Sequence, residues 1–266
     1  MHTPSGTCGI GRAAVFAIMA FGCPQALLSQ GPALALAARL GASPSAGFVA
    51  TGKGTAYSKL GTRTVWIELT VWGAEHSRLL LQFSGGGEYV AVVNSKQAST
   101  SGPTAWLNLP PVGGLNDGCD LLPQGLLLAD GSGGAIGLDD LGASPEASGQ
   151  QRLRLFRTVA GASPQRSERI KNATAVLLDF DPSTGLPSRA EYAPLRQTQV
   201  RVEYARYTAP NGFAYPSHVE KFVNGEMRLS VDFDSVEPRT GLSDADFQVP
   251  APAHPIRTAS GGRRPQ

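Results

Sequence analysis

The chain has 266 residues, of which 41% are hydrophobic and 17% charged, with 32 glycines and 20 prolines. That glycine and proline content shortens any long helix and excludes an all-helical fold, while the length fits one β domain of roughly 200–250 residues as well as two smaller units. Against 21 acidic residues stand 23 basic ones, and the formal charge of +2 is too near balance to hold a phosphate backbone, so nucleic acid is not an expected partner.

At the amino end, Arg12 precedes the apolar run Ala13 to Phe21, which has signal-peptide length and is too short for a membrane-spanning helix. Residues 1–29 are therefore expected to be a signal peptide, residues 30–250 a single β domain, and residues 251–266 a disordered tail rich in Pro, Gly and Arg. Two ends of the leader compete. Ala20-Phe21-Gly22-Cys23 has the form of a lipobox in which Cys23 would be lipidated, and Leu27-Leu28-Ser29 offers cleavage without a lipid. Soluble release is favoured, because a lipobox usually carries Leu, Val or Ile where Ala20 stands and because Pro24 follows the cysteine. With Cys8 and Cys23 in the leader, Cys119 is alone in the mature chain; this excludes an internal disulfide and reads as a buried, inert thiol.

Pro32 to Leu40 carries Leu34, Leu36 and Leu40 on a loose apolar stripe, which predicts a short helix. Strand patterns begin at Gly47. Val65, Ile67, Leu69 and Val71 alternate with Trp66, Glu68, Thr70 and Trp72, so one face of this strand is wholly aliphatic. Leu79 to Phe83 and Tyr89 to Val93 form a hairpin across Ser84-Gly85-Gly86-Gly87. Between about Ser99 and Gly149 the strand signal fades, and the leucines at 121, 122, 126, 127 and 128 predict short helical turns that act as a flap or lid.

Strands resume at Arg152 to Phe156 and Ala175 to Phe180, followed by the turn Asp181-Pro182-Ser183-Thr184-Gly185. Further strands are expected at Pro187 to Tyr192, Val200 to Tyr204, His218 to Val223 and Met227 to Val236, with turns at Pro210-Asn211-Gly212 and Asn224-Gly225. In the last strand Met227, Leu229, Val231 and Phe233 alternate with Arg228, Ser230, Asp232 and Asp234. Short reversals between so many strands predict an antiparallel meander, since parallel strands need long crossovers. A sheet this wide coils, and its apolar face needs a second layer, which the helical segments can supply.

No motif for chemistry emerges. Gly47 to Thr55 has the glycine and lysine spacing of a phosphate loop, but Gly54 stands where a hydroxyl should meet magnesium, and the segment reads as an ordinary turn. His76 and His218 belong to no spaced ligand set and read as solvated, so neither metal nor cofactor is expected. There is no Gly-x-Ser-x-Gly elbow, although a spatially assembled triad stays open. Glu191, Glu203, Asp232 and Asp234 alternate with apolar neighbours and read as a solvated face. Asn172-Ala173-Thr174 matches a glycosylation acceptor, a weak signal. No residue is assigned a catalytic role.

From Arg152 to Pro250 the succession runs through a short basic strand, the Asp-Pro-Ser-Thr-Gly turn, a charged strand ending in Tyr204 and Asn211-Gly212-Phe213-Ala214-Tyr215-Pro216. A strand, Asn224-Gly225, an alternating strand and Gly241-Leu242-Ser243-Asp244-Ala245-Asp246-Phe247-Gln248-Val249-Pro250 complete it. This order resembles the end of outer-membrane lipoprotein-sorting proteins with the LolA/LolB-like fold, over somewhat under half of the chain. The resemblance implies a mainly antiparallel β fold: an incomplete, strongly curved β-barrel, or half-barrel, with short helices covering its concave face. It also implies a periplasmic or outer-membrane-peripheral protein that binds a lipid or the acyl chain of a lipoprotein, with peripheral or lipid-anchored membrane association and an envelope protein as a further partner. On this reading Ile67, Leu69, Val71, Leu81, Phe83, Leu229, Val231 and Phe233 line the ligand site and Leu126 belongs to its cover. The same residues also suit a dry, filled core. A carrier, a non-catalytic interaction module and, less favoured, a hydrolase therefore stay open.

Overall fold

In a computed structural model of the chain, the residues described are 40, 47–73, 76–94, 97–102, 119–127, 135–195 and 198–248. The expected signal peptide, Cys23, the helix over 32–40 apart from Leu40, Leu128 and the tail from 251 lie outside them.

Twelve antiparallel strands form one open, strongly curved sheet. In chain order they are β1 (Gly47–Ser58), β2 (Gly61–Trp72), β3 (His76–Phe83), β4 (Glu88–Asn94), β5 (Gln97–Ser101), β6 (Ala135–Ala143), β7 (Gln151–Thr158), β8 (Val176–Phe180), β9 (Pro187–Leu195), β10 (Thr198–Thr208), β11 (Tyr215–Val223) and β12 (Glu226–Arg239). In space the order is β5-β4-β3-β2-β1-β12-β11-β10-β9-β8-β7-β6, so the first and last strands pair at the centre while β5 and β6 form opposite edges. This half-barrel matches the fold expected from the sequence.

The turns follow their residues. Asn224 and Gly225 both have positive φ (52° and 80°), the geometry of a tight two-residue hairpin that Asn-Gly supplies at little steric strain. In the Asp181–Gly185 turn the Asp181 carboxylate accepts from the Ser183 amide at 2.8 Å, and Gly185 takes φ 68°.

Two expectations are corrected, and one element is added. The segment Gly47 to Thr55 is not a turn but most of β1, because both of its sides are occupied by ladder partners, β2 and β12. Its glycines serve the curvature: a Cβ at Gly52 would lie 2.4 Å from the Asp232 carbonyl oxygen, and one at Gly54 2.1 Å from that of Ser230. Only glycine lets β1 approach β12 this closely, next to a bulge between Thr51 and Gly52. Second, the stretch from Ser99 to Gly149 holds β5 and β6 as well as helical turns. As edge strands they bond on one side only, and the Gly, Asp and Ser content that hid them suits an edge. The added element is a helix over residues 164–173, which apolar periodicity does not reveal, since it buries none of its residues. Ser163 caps it and Pro164 occupies its first turn.

One apolar cluster fills the concave side. Every strand from β1 to β4 and β7 to β12 contributes to it, with alternate residues entering in the clearest cases, as in Val65, Ile67, Leu69 and Val71 on β2 or Leu229, Val231 and Phe233 on β12. A smaller cluster lies on the convex face, where Phe247 of the 3-10 turn Asp244–Phe247 packs on Trp72, Val90 and Val92. The Trp72 and Phe247 rings stack with centroids 6.3 Å apart.

Candidate functional site

The connection from β5 to β6 joins opposite edges of the open sheet, and it carries the cover. Within it a 3-10 turn (Cys119–Leu121) and a five-residue helix, α1 (Pro123–Leu127), form a plug that lies against the concave face. Leu121, Leu122, Leu126 and Leu127 are buried in the same cluster as the strand residues, as is Cys119. The helical turns expected around Leu121 to Leu128 are therefore present over the described residues 119–127. The helix at 164–173, here α2, packs instead on the convex side against β7. There Lys171 reaches Asp139 at 2.9 Å and lies 4.6 Å from the Phe156 ring centroid.

Ile67, Leu69, Val71, Leu81, Phe83, Leu229, Val231, Phe233 and Leu126, the residues expected to line a ligand site, belong to this one cluster, and none is more than 5% exposed. The fold brings them together on a single surface, with the plug seated on it. The groove of about 750 Å³ found elsewhere involves none of them. It opens beside α2 and is lined by Arg154, Asn172, Leu177, Glu191 and Ala193 among others.

Sequence reasoning missed the polar centre of the plug contact. Lys221 projects to the concave side between Val219 and Val223, and its Nζ lies 2.7 Å from Asp120 Oδ2. Both residues are buried, at 2% and 0% exposure. The Tyr192 hydroxyl donates to the same carboxylate oxygen at 2.5 Å, and the Tyr204 hydroxyl donates to the Asp120 main-chain oxygen at 2.7 Å. One helical turn on, Gln124 Nε2 donates to the Ala214 carbonyl oxygen at 2.5 Å. Burial, the Asp120 charge and Tyr207 hold the Tyr204 hydroxyl well above its usual pKa, so it stays a donor. A signal for Lys221 was available, since a lysine at even spacing from Val219 and Val223 must share their face.

The convex face carries a second charged group. Register places Arg152 opposite Asp179 and Asp179 opposite Arg189 on β7, β8 and β9. Arg152 binds Asp179 through both carboxylate oxygens, at 2.6 and 2.8 Å, and Arg189 Nη2 lies 2.7 Å from the same group and 2.9 Å from Glu146. Glu191 joins this network at 8% exposure, which corrects its assignment to a solvated face. It lies within 3.6 Å of Arg189 and 3.9 Å of Arg152. Asp232 and Asp234 are exposed as expected. His76 is also not solvated: it is buried beside Trp72 and Phe247, with Nε2 3.0 Å from Asp244. His218 is half-buried, with Nδ1 2.9 Å from Asp232. Among the described residues no group of three or more His, Cys, Asp or Glu side chains is placed to hold a metal ion.

No protein-family model matches the chain, and no curated protein is significantly similar to it in sequence. Solved structures similar in fold include the following three. A domain from Vibrio parahaemolyticus described as an outer membrane lipoprotein-sorting protein is 12% identical, with a TM-score of 0.47, over 84% of this chain and 97% of its own. A LolA superfamily protein from Nitrosomonas europaea is 15% identical, with a TM-score of 0.49, over 83% of this chain and 98% of its own. A DUF1329 family protein from Desulfovibrio piger is 12% identical, with a TM-score of 0.49, over 84% of this chain and 96% of its own.

Proposed function

We propose that the chain is an exported, non-enzymatic carrier that takes up an apolar chain, from a lipid or an acylated lipoprotein, between the plug and the concave face. One observation carries this reading: among the described residues, the segment laid over the apolar face outside the strands is a short one, 119–127, and it bonds to the sheet through a few side chains. A core meant only to stay dry is ordinarily closed by a second sheet or by long helices. Here, among the described residues, four leucines and one buried ion pair lie over it, and an acyl chain can take the place of those leucines, its roughly 0.8 kcal/mol per buried methylene offsetting the leucine burial that is given up.

The ligand would then lie along Ile67, Leu69, Val71, Leu81, Phe83, Leu229, Val231 and Phe233, with Leu126 displaced. Among the described residues no helix is long and apolar enough to cross a membrane. We place the protein in the periplasm or at the outer-membrane periphery, on the strength of the leader-like residues 1–29 and, if lipidated, of Cys23 as anchor. Titration of the purified protein with the neutral fluorophore N-phenyl-1-naphthylamine tests the site. Saturable enhancement that long-chain lipids compete away is the expected result. Linear, non-competable fluorescence would favour the interaction-module reading, in which the face stays closed.

A further inference from the structure

The polar contact beneath the plug divides its chemistry unequally. Three donors stand on the rigid sheet, from three adjacent strands: the Tyr192 hydroxyl on β9, the Tyr204 hydroxyl on β10 and the Lys221 ammonium on β11. All three converge on Asp120, which stands on the plug, and the distances run from 2.5 to 2.7 Å. Around them the concave wall is apolar, with Val200, Val202, Val219 and Leu229 as the nearest ladder neighbours on their side of the sheet.

This arrangement constrains what can take the plug's place. When the plug leaves, it removes the acceptors and leaves an ammonium on a hydrocarbon surface. A neutral alkyl ligand would bury that charge without a partner, which is strongly unfavourable. A ligand that brings its own oxyanion restores the pair and the hydroxyl bonds together, and charge-assisted bonds of this kind are the strong ones. The seat also fits Asp120 incompletely: Lys221 and Tyr192 both use Oδ2, while Asp120 Oδ1 and Gln124 Oε1 are buried without a hydrogen-bond partner among the described residues. The plugged state therefore holds two buried acceptors that its release would return to water.

We propose that Lys221, with the Tyr192 and Tyr204 hydroxyls, is the headgroup seat for an acidic amphiphile, a carboxylate or phosphate on an acyl chain, and that Asp120 fills this seat in the unliganded protein. This rests on the carrier reading above and adds the class of ligand to it. Two consequences separate the anion seat from a merely structural ion pair. Ligand preference follows charge, and Asp120 acts as a competitor of the ligand.

The test is a titration of the full chain, followed by native mass spectrometry, with three ligands of one chain length: oleate, oleoyl lysophosphatidic acid and the neutral monoolein. The wild type is expected to favour at least one of the two acids over monoolein by about tenfold or more, and the better acid names the headgroup. Lys221→Met should bring that preference to within about twofold while monoolein still binds, and Asp120→Asn should tighten the acid by about tenfold by weakening its internal rival. If Lys221→Met does not fold, the charge-neutral double variant Asp120→Asn with Lys221→Met makes the same comparison. Equal binding of acid and neutral lipid by the wild type, or a preference that survives loss of Lys221, overturns the seat and leaves the carrier reading standing. Failure of all three ligands to bind overturns both.

Discussion

Lys221→Met on its own lowers the stability of the plugged state by about 3–5 kcal/mol, because it strands the Asp120 carboxylate at a position with no exposed surface. Replacing both partners, Asp120→Asn with Lys221→Met, restores most of that loss. A buried pair exchanged for groups of similar volume is often neutral, whereas half a pair is not. Urea midpoints measure the deficit if the whole domain responds. If the plug detaches alone, faster amide exchange over residues 119–127 with an unchanged midpoint measures it instead. A single variant that matches the wild type in both readings would mean that the ion pair is not formed in solution.

The second large effect is expected on the opposite face. Asp179→Ala leaves Arg152 and Arg189 facing one another with side chains only 7% and 15% exposed, and it should destabilise the domain by about 3 kcal/mol, somewhat eased by Glu146 and Glu191 nearby. This contribution depends on pH with a definite sign. Burial pushes the Asp179 carboxyl up, but the hydrogen bonds and charges of Arg152 and Arg189 more than reverse this and hold it below its ordinary value. A folded-state pKa below the unfolded one stabilises the protein above the unfolded value of about 4, and that stabilisation is lost as pH falls through the folded value. Asp139, held low by the Lys171 hydrogen bond against its burial and helped by Arg154, acts in the same direction. The gap between wild type and Asp179→Ala should thus be full at neutral pH and shrink steadily below about pH 4, as read from denaturation midpoints at several pH values. A gap that does not change with pH would contradict the assignment.

Much of the architecture was legible in the sequence because period-two alternation reports burial directly. β2 and β12 are the clearest cases, and every predicted lining residue on them is buried on the concave side. The Asn224-Gly225 and Asp181–Gly185 turns were legible because positive φ and carboxylate-to-amide bonds restrict the residues that can serve there. What stayed hidden was set by distant partners. β1 looked like a glycine loop because its glycines answer to the β12 backbone, more than 170 residues away in the chain. Glu191 and His76 looked solvated because Arg152 and the Phe247 turn, which help to cover them, are not local in sequence. The Asp120–Lys221 contact spans about a hundred residues, and only the even spacing of Val219, Lys221 and Val223 hinted at one half of it.

A hydrocarbon ligand beneath the plug is the central claim, and protein purified without detergent from the cells that make it tests it most directly. Native mass spectrometry of that material should show a population carrying a mass shift of lipid size, and stripping the adduct with organic solvent should slow amide exchange over residues 119–127 as the plug reseats. Material that is always free of adduct, with plug exchange already slow and unchanged by added oleate or monoolein, would contradict the account.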